Sequence, residues 1–123
     1  AALRPGGAVL LDAWGGGLVH RPFVERHRHR GFDHLWEQRS FDPISHRVDC
    51  RIHFAFCDGS RLDDAFVYDW RMWTLPELQD LLLEAGFADA DVLWRVGRSG
   101  ASFRRRSKAA PDPSWLAWVF GRR

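Results

Sequence analysis

Hydrophobic and polar positions change period along the chain, and each change predicts a different element. Leu3-Arg4-Pro5-Gly6-Gly7 reads as a turn, and Ala8-Val9-Leu10-Leu11-Asp12-Ala13-Trp14 follows as a nearly unbroken apolar run closed by Gly15-Gly16-Gly17. Such a run between turn signals predicts a strand buried on both faces, the habit of parallel sheets. Residues 18–33 are polar and rich in Arg and His, and read as loop or at most a short helical piece. Period-two alternation then predicts three antiparallel strands, near 33–41, 47–57 and 63–73. In the second, Val48, Cys50, Ile52, Phe54 and Phe56 share one face, and Asp49, Arg51, His53 and Ala55 the other. In the third, Phe66, Tyr68, Trp70 and Met72 lie opposite Val67, Asp69, Arg71 and Trp73. Asp42-Pro43 and Asp58-Gly59 supply the turns of a meander.

The texture turns helical at Thr74-Leu75-Pro76-Glu77. This is a T-x-x-E capping box with Pro in the first turn, where its missing N–H costs nothing. Leu75, Leu78, Leu82 and Ala85 follow at helical spacing, and Gly86 offers a left-handed stop with Phe87 able to fold back. The spacing predicts a helix over 75–85, a strand over 90–96, a polar loop over 97–113 and a last strand over 115–120.

Composition narrows the class. The 123 residues are 46% hydrophobic and 28% charged, which suits one globular domain. Seven Trp and nine Phe are unusual for this length, and fit a core or a ligand cleft about equally well. A net charge of +2 gives little support to a nucleic-acid partner. No apolar run reaches the roughly 20 residues of a membrane helix. Cys50 and Cys57 are too few for a disulfide framework and, an odd number of positions apart on one strand, face opposite sides, which suits a reducing, cytoplasmic compartment. The chain opens Ala1-Ala2-Leu3 and its only Met is Met72, so an N-terminal part is expected outside the given residues.

Two motifs in this order carry a family resemblance. Leu3-Arg4-Pro5-Gly6-Gly7 leading into Ala8–Leu11 looks like an L-[KR]-P-G-G turn before a strand. Trp73-Thr74-Leu75-Pro76-Glu77-Leu78 through Leu81-Leu82 to Ala85-Gly86-Phe87 looks like a Y-T-x-x-E-L-x-x-L-L-x-x-A-G-F helix. Together they resemble the second half of class I S-adenosylmethionine-dependent methyltransferases. The resemblance implies an α/β fold, the C-terminal part of a Rossmann-like sheet of order 3-2-1-4-5-7-6 with strand 7 antiparallel, carrying an antiparallel three-stranded β-meander insert. In that reading residues 1–31 supply strand 5 and a loop, 32–73 the insert, and 74–123 the helix with strands 6 and 7. A β-rich insert at this place is similar to that of small-molecule N-methyltransferases, such as the dTDP-aminosugar dimethyltransferases and glycine N-methyltransferase, where it covers the substrate. The family's D/E-x-G-x-G-x-G loop has no counterpart here. S-adenosylmethionine is therefore expected to be held mainly by residues outside this chain, with a small molecule as substrate.

Methyl transfer from a sulfonium is an in-line displacement that needs alignment and exclusion of water; a base is needed only for a protonated nucleophile. Asp12 and Trp14 end the first strand, where open α/β sheets place their ligands. A turn-capping Asp and a core Trp are the plainer alternative. The insert offers Glu37, Arg39, His53 and Arg71 as substrate-binding residues, since Arg can clamp an oxyanion and His can serve as a base near neutral pH. Cross-strand ion pairing on a solvated face accounts for the same residues. His20, His27, His29 and His34 match no compact metal site, and Arg26, Arg28 and Arg30 oppose a cation, so no metal is expected. Arg104-Arg105-Arg106-Ser107-Lys108 suits phosphate binding or, more simply, a charged surface loop. A different class of function also fits: the aromatic insert as a dimerisation or partner-binding surface.

Overall fold

Thr74 opens the α-helix as the capping box predicts. Its Oγ1 accepts from the Glu77 N–H at 3.3 Å, while the Glu77 carboxylate accepts from the Thr74 N–H at 2.8 Å. Two of the first turn's unpaired donors are thereby satisfied. In the computed structural model, which describes residues 3–97 and 102–123, this helix is α1 (Leu75–Glu84). The strands are β1 (Ala8–Gly15), β2 (Phe23–His29), β3 (Phe32–Asp42), β4 (Arg47–Phe56), β5 (Arg61–Arg71), β6 (Asp89–Arg95), β7 (Phe103–Arg105) and β8 (Trp115–Arg122). They form two four-stranded sheets, ordered β1-β8-β6-β7 and β2-β3-β4-β5. The chain divides into two units accordingly: Ala1–Gly17 with Trp73–Arg123, and Leu18–Met72.

In the first unit β8 runs antiparallel to both β1 and β6, so those two are parallel to each other without touching. One face of the sheet takes α1. Leu78 and Leu82 pack on Ala13 and Val119, joined by Val9, Leu11, Phe87 and Trp115. Gln79 ties the helix down, its Nε2 donating to the Ala90 carbonyl at 2.7 Å. Gly86, at φ 86°, ends the helix and lets the Phe87 N–H reach the Leu82 carbonyl at 3.0 Å.

The expected α/β architecture is corrected here. The chain is mostly β, with two antiparallel sheets and one helix, and not a Rossmann-like sheet carrying a meander. Every ladder among the described residues is antiparallel, so mutually parallel strands such as β1 and β6 never pair directly. Nor is β1 buried on both faces. Among the described residues it pairs only with β8, and Leu10 is 48% exposed. Val9, Leu11 and Ala13 meet the helix side, whereas Ala8, Leu10 and Asp12 are exposed. An apolar run thus marks a strand but does not name the direction of its neighbours.

The second unit also differs from expectation, with four strands instead of three. The segment read as loop contains β2, joined to β3 by the two-residue turn Arg30-Gly31 with Gly31 at φ 93°. β2 is polar on both faces, with only Phe23 half-buried, so alternation gave it no signal. Arg-rich edge strands of this kind also discourage edge-to-edge pairing. In the same way the short β7 lies inside the segment expected to be loop, of which residues 98–101 fall outside the described residues.

Candidate functional site

Alternation along the second sheet separates two faces. Phe32, His34, Trp36 and Gln38 of β3 align with Phe56, Phe54, Ile52 and Cys50 of β4, making an aromatic face. Trp36, Tyr68 and Trp70 cluster there, with Tyr68 and Trp70 ring centroids 4.5 Å apart. On the opposite face Leu35, Glu37 and Arg39 meet Arg51 and His53.

Two irregularities assemble the polar cluster on that opposite face. Register slips between Gln38 and Ser40, leaving Arg39 as an extra residue in β3. It slips again at His53: Ile52 faces Phe66 but Phe54 faces Leu62, so Asp63, Asp64 and Ala65 together oppose the single residue His53. Asp64 takes the left-handed conformation, φ 50°, that such a bulge demands. The result is a closed ring of contacts. His53, 8% exposed, accepts at Nδ1 from the Asp64 N–H at 3.0 Å, which places the imidazole hydrogen on Nε2, 3.1 Å from Glu37 Oε2. Arg39 Nη2 then bridges Glu37 Oε2 at 2.9 Å and Asp64 Oδ1 at 3.4 Å.

Electrostatics follow from this geometry. The Arg39 guanidinium hydrogen-bonded to Glu37 holds that carboxyl below its ordinary value, with the His53 hydrogen bond adding to the effect against the cost of burial. Stability linked to Glu37 is therefore fully present above its unfolded pKa, about 4.3, and is lost as pH falls through the lower folded value. Denaturant midpoints should drop below about pH 4, and Glu37→Gln should flatten part of that decline. An unchanged acid limb in the variant would remove Glu37 from the account.

Glu37, His53 and Asp64 also present ligand atoms within 4.8 Å of one another, the spacing of a metal centre. Arg39 already supplies the cation between the two carboxylates, and His53 Nδ1 is taken by a backbone N–H. The group is built as an ion-pair network around a fixed imidazole. Such a network can hold a polar substrate group through Arg39 and Glu37.

Of the residues chosen from sequence, Glu37, Arg39 and His53 come together here. Arg71 does not join them. It stands opposite Arg47, whose guanidinium pairs with Asp69 at 2.7 Å, six residues along β4 from His53, or roughly 20 Å at strand rise. Asp12 and Trp14 belong to the first unit, where Asp12 is exposed and faces Trp118 across the ladder. Asp63 and Asp64 were not singled out from sequence. Their signal is two adjacent acids interrupting an alternating strand. Cys50 is fully buried, which pushes its thiol up to about 11, so it is no nucleophile, and both cysteines are free.

No known family model and no curated protein matches this chain.

The Gly15-Gly16-Gly17 run does not fit S-adenosylmethionine. A Cβ added at Gly15 would run into the Trp115 ring, and one at Gly16, φ 111°, into the Pro113 carbonyl. Gly15 and Gly16 thus make room for the chain's own Trp115 and Pro113 and not for a ligand, while a Cβ at Gly17 would meet open space. Among the described residues no helix is long and apolar enough to cross a membrane.

Proposed function

We propose that this chain is the C-terminal, substrate-side part of an S-adenosylmethionine-dependent methyltransferase acting on a small molecule in the cytoplasm. One observation carries the reading: β1, β8 and β6 lie side by side in that order, with β8 reversed and α1 leading into β6. This is the order and direction that the sequence resemblance assigns to strands 5, 7 and 6. The cofactor belongs to residues outside the chain. The polar face of Leu18–Met72 supplies the acceptor's contacts, with Arg39 and Glu37 orienting its polar group and His53 held in one tautomer beside them.

The test uses the protein encoded by the whole reading frame. It should bind S-adenosylmethionine and transfer its methyl group to small amines. Glu37→Gln and Arg39→Ala should each lower kcat/KM at least tenfold, about 1.4 kcal/mol or more of transition-state stabilisation, while cofactor affinity holds. Failure of that protein to bind S-adenosylmethionine would overturn the reading.

The aromatic face favours a second reading, a non-catalytic dimerisation module. Phe66 is 53% exposed, Leu62 51% and Trp70 39%, beside stacked Trp36 and Tyr68, a large apolar patch of the kind that marks interaction sites. Phe66→Glu would then turn a dimer into a monomer in sedimentation; a wild-type protein that is already monomeric discards this reading.

A further inference from the structure

We infer that the first unit carries a second, separate binding site, a cavity for a small planar aromatic anion. The cavity, about 520 Å³, lies between the first turn of α1, β6 and the 106–112 segment. That volume falls within the range of small-molecule sites, roughly 300–1,000 Å³. Its wall combines two chemistries.

The apolar part is aromatic. Trp94 and Trp115 both line the cavity with ring centroids 5.5 Å apart and planes tilted by 34°, and Leu75 and Val92 extend the surface. Trp115 is fixed from behind, because its ring lies where a Gly15 side chain would be. A flat ring laid on this pair gains offset stacking beyond the area it buries.

The polar part is cationic. Arg106 and Lys108 both line the cavity, and neither has an acidic partner among the described residues. The neighbouring Arg105, by contrast, is spent on Asp91 at 2.8 Å, and Arg122 on Asp89 at 2.6 Å. Asp112 is the one acidic lining residue, and its Oδ1 already accepts from the Ser114 N–H at 3.0 Å. The segment bearing the cations is anchored, since the Arg106 N–H donates to the Val92 carbonyl at 2.9 Å. Two uncommitted cations beside a fixed aromatic wall suit a ligand with a ring and an acid group, the ring on the tryptophans and the acid on Arg106 and Lys108. The site shares no residue with the polar cluster of Leu18–Met72, so it stands whether or not the chain serves methyl transfer.

The probe is 1-naphthyl phosphate, titrated into the full chain by calorimetry and followed at the indole N–H resonances of Trp94 and Trp115. Saturable binding is expected, with both resonances shifting. The double variant Arg106→Glu/Lys108→Glu, at exposed positions, should raise Kd at least tenfold while leaving the thermal transition in place. 1-Naphthol and inorganic phosphate should each bind at least tenfold more weakly than the probe, and 1-naphthoate in parallel tells a carboxylate from a phosphate preference. Absence of saturation with both naphthyl acids, undiminished affinity in the double variant, or inorganic phosphate binding as tightly as the probe would each overturn the inference.

Discussion

Gln38→Glu, a change that adds no heavy atom, should cost the protein more than about 3 kcal/mol at neutral pH, the scale of an unpaired buried charge. Gln38 has no exposed surface, and its Nε2 donates to the carbonyls of Val19 at 2.7 Å and Arg21 at 2.9 Å, with Leu18 at 3.3 Å sharing the same hydrogens. The side chain thus pins the Leu18–Arg21 turn onto the aromatic face of the second sheet. A carboxylate in its place turns an acceptor toward three acceptors. Protonation relieves this, because a neutral carboxyl can donate to one carbonyl. The folded-state pKa of the introduced carboxyl would therefore be raised. Stability would be retained below its unfolded value, about 4.3, and lost as pH rises through the folded one. Urea denaturation at pH 7 and pH 4 should show the gap to wild type narrowing in acid. Gln38→Leu, which removes the donors but buries no charge, should cost less, about 1–3 kcal/mol, with no such pH dependence. A Gln38→Glu protein within about 1 kcal/mol of wild type at pH 7 would mean that the turn is held by something else.

That residue also shows where sequence reasoning stops. Gln38 sits in a strand whose polarity looked unremarkable, and its importance comes from a turn nearly twenty positions earlier. Local signals were legible: the Thr74–Glu77 box and Gly86 bound α1, and clean alternation marked β4. Elements whose stability is borrowed from a partner were not. β2 carries Arg on one face and Glu and His on the other and is ordered by its ladder to β3, and β7 exists because β6 offers it an edge. The fold class failed for a related reason. Ala8–Trp14 reads as a buried parallel strand, but which strand lies beside it is a fact about the rest of the sheet.

The candidate site was legible in part. Alternation put Arg51 and His53 on one face, yet it could not bring Arg39 and Asp64 to His53, because that depends on two bulges. A bulge shifts register without changing the hydrophobic count on either side of it. For Arg71, sharing a face with Asp69 says nothing about distance from His53 along the strand.

Leu82→Ala should be the most damaging truncation in the first unit, at about 2–5 kcal/mol, whereas Leu81→Ala next to it should cost well under about 1 kcal/mol. Leu82 is 6% exposed and packs with Leu78 on Ala13 and Val119; Leu81, at the flank of the same helix, is 46% exposed. The contact that makes Leu82 special is Gly121. A Cβ there would sit 3.2 Å from Leu82 Cδ1 and 3.0 Å from Phe87 Cδ1, so the glycine lets both side chains seat directly on β8. Gly121→Ala alone should therefore overpack the interface and cost about 1–3 kcal/mol. In the Leu82→Ala background the added methyl enters the space that truncation opened, and the same change should cost markedly less or restore stability. Denaturant curves for the four proteins give the coupling directly. Additive losses would show that helix and strand relax apart on truncation, and that the closeness of Leu82 to β8 is not what holds α1 in place.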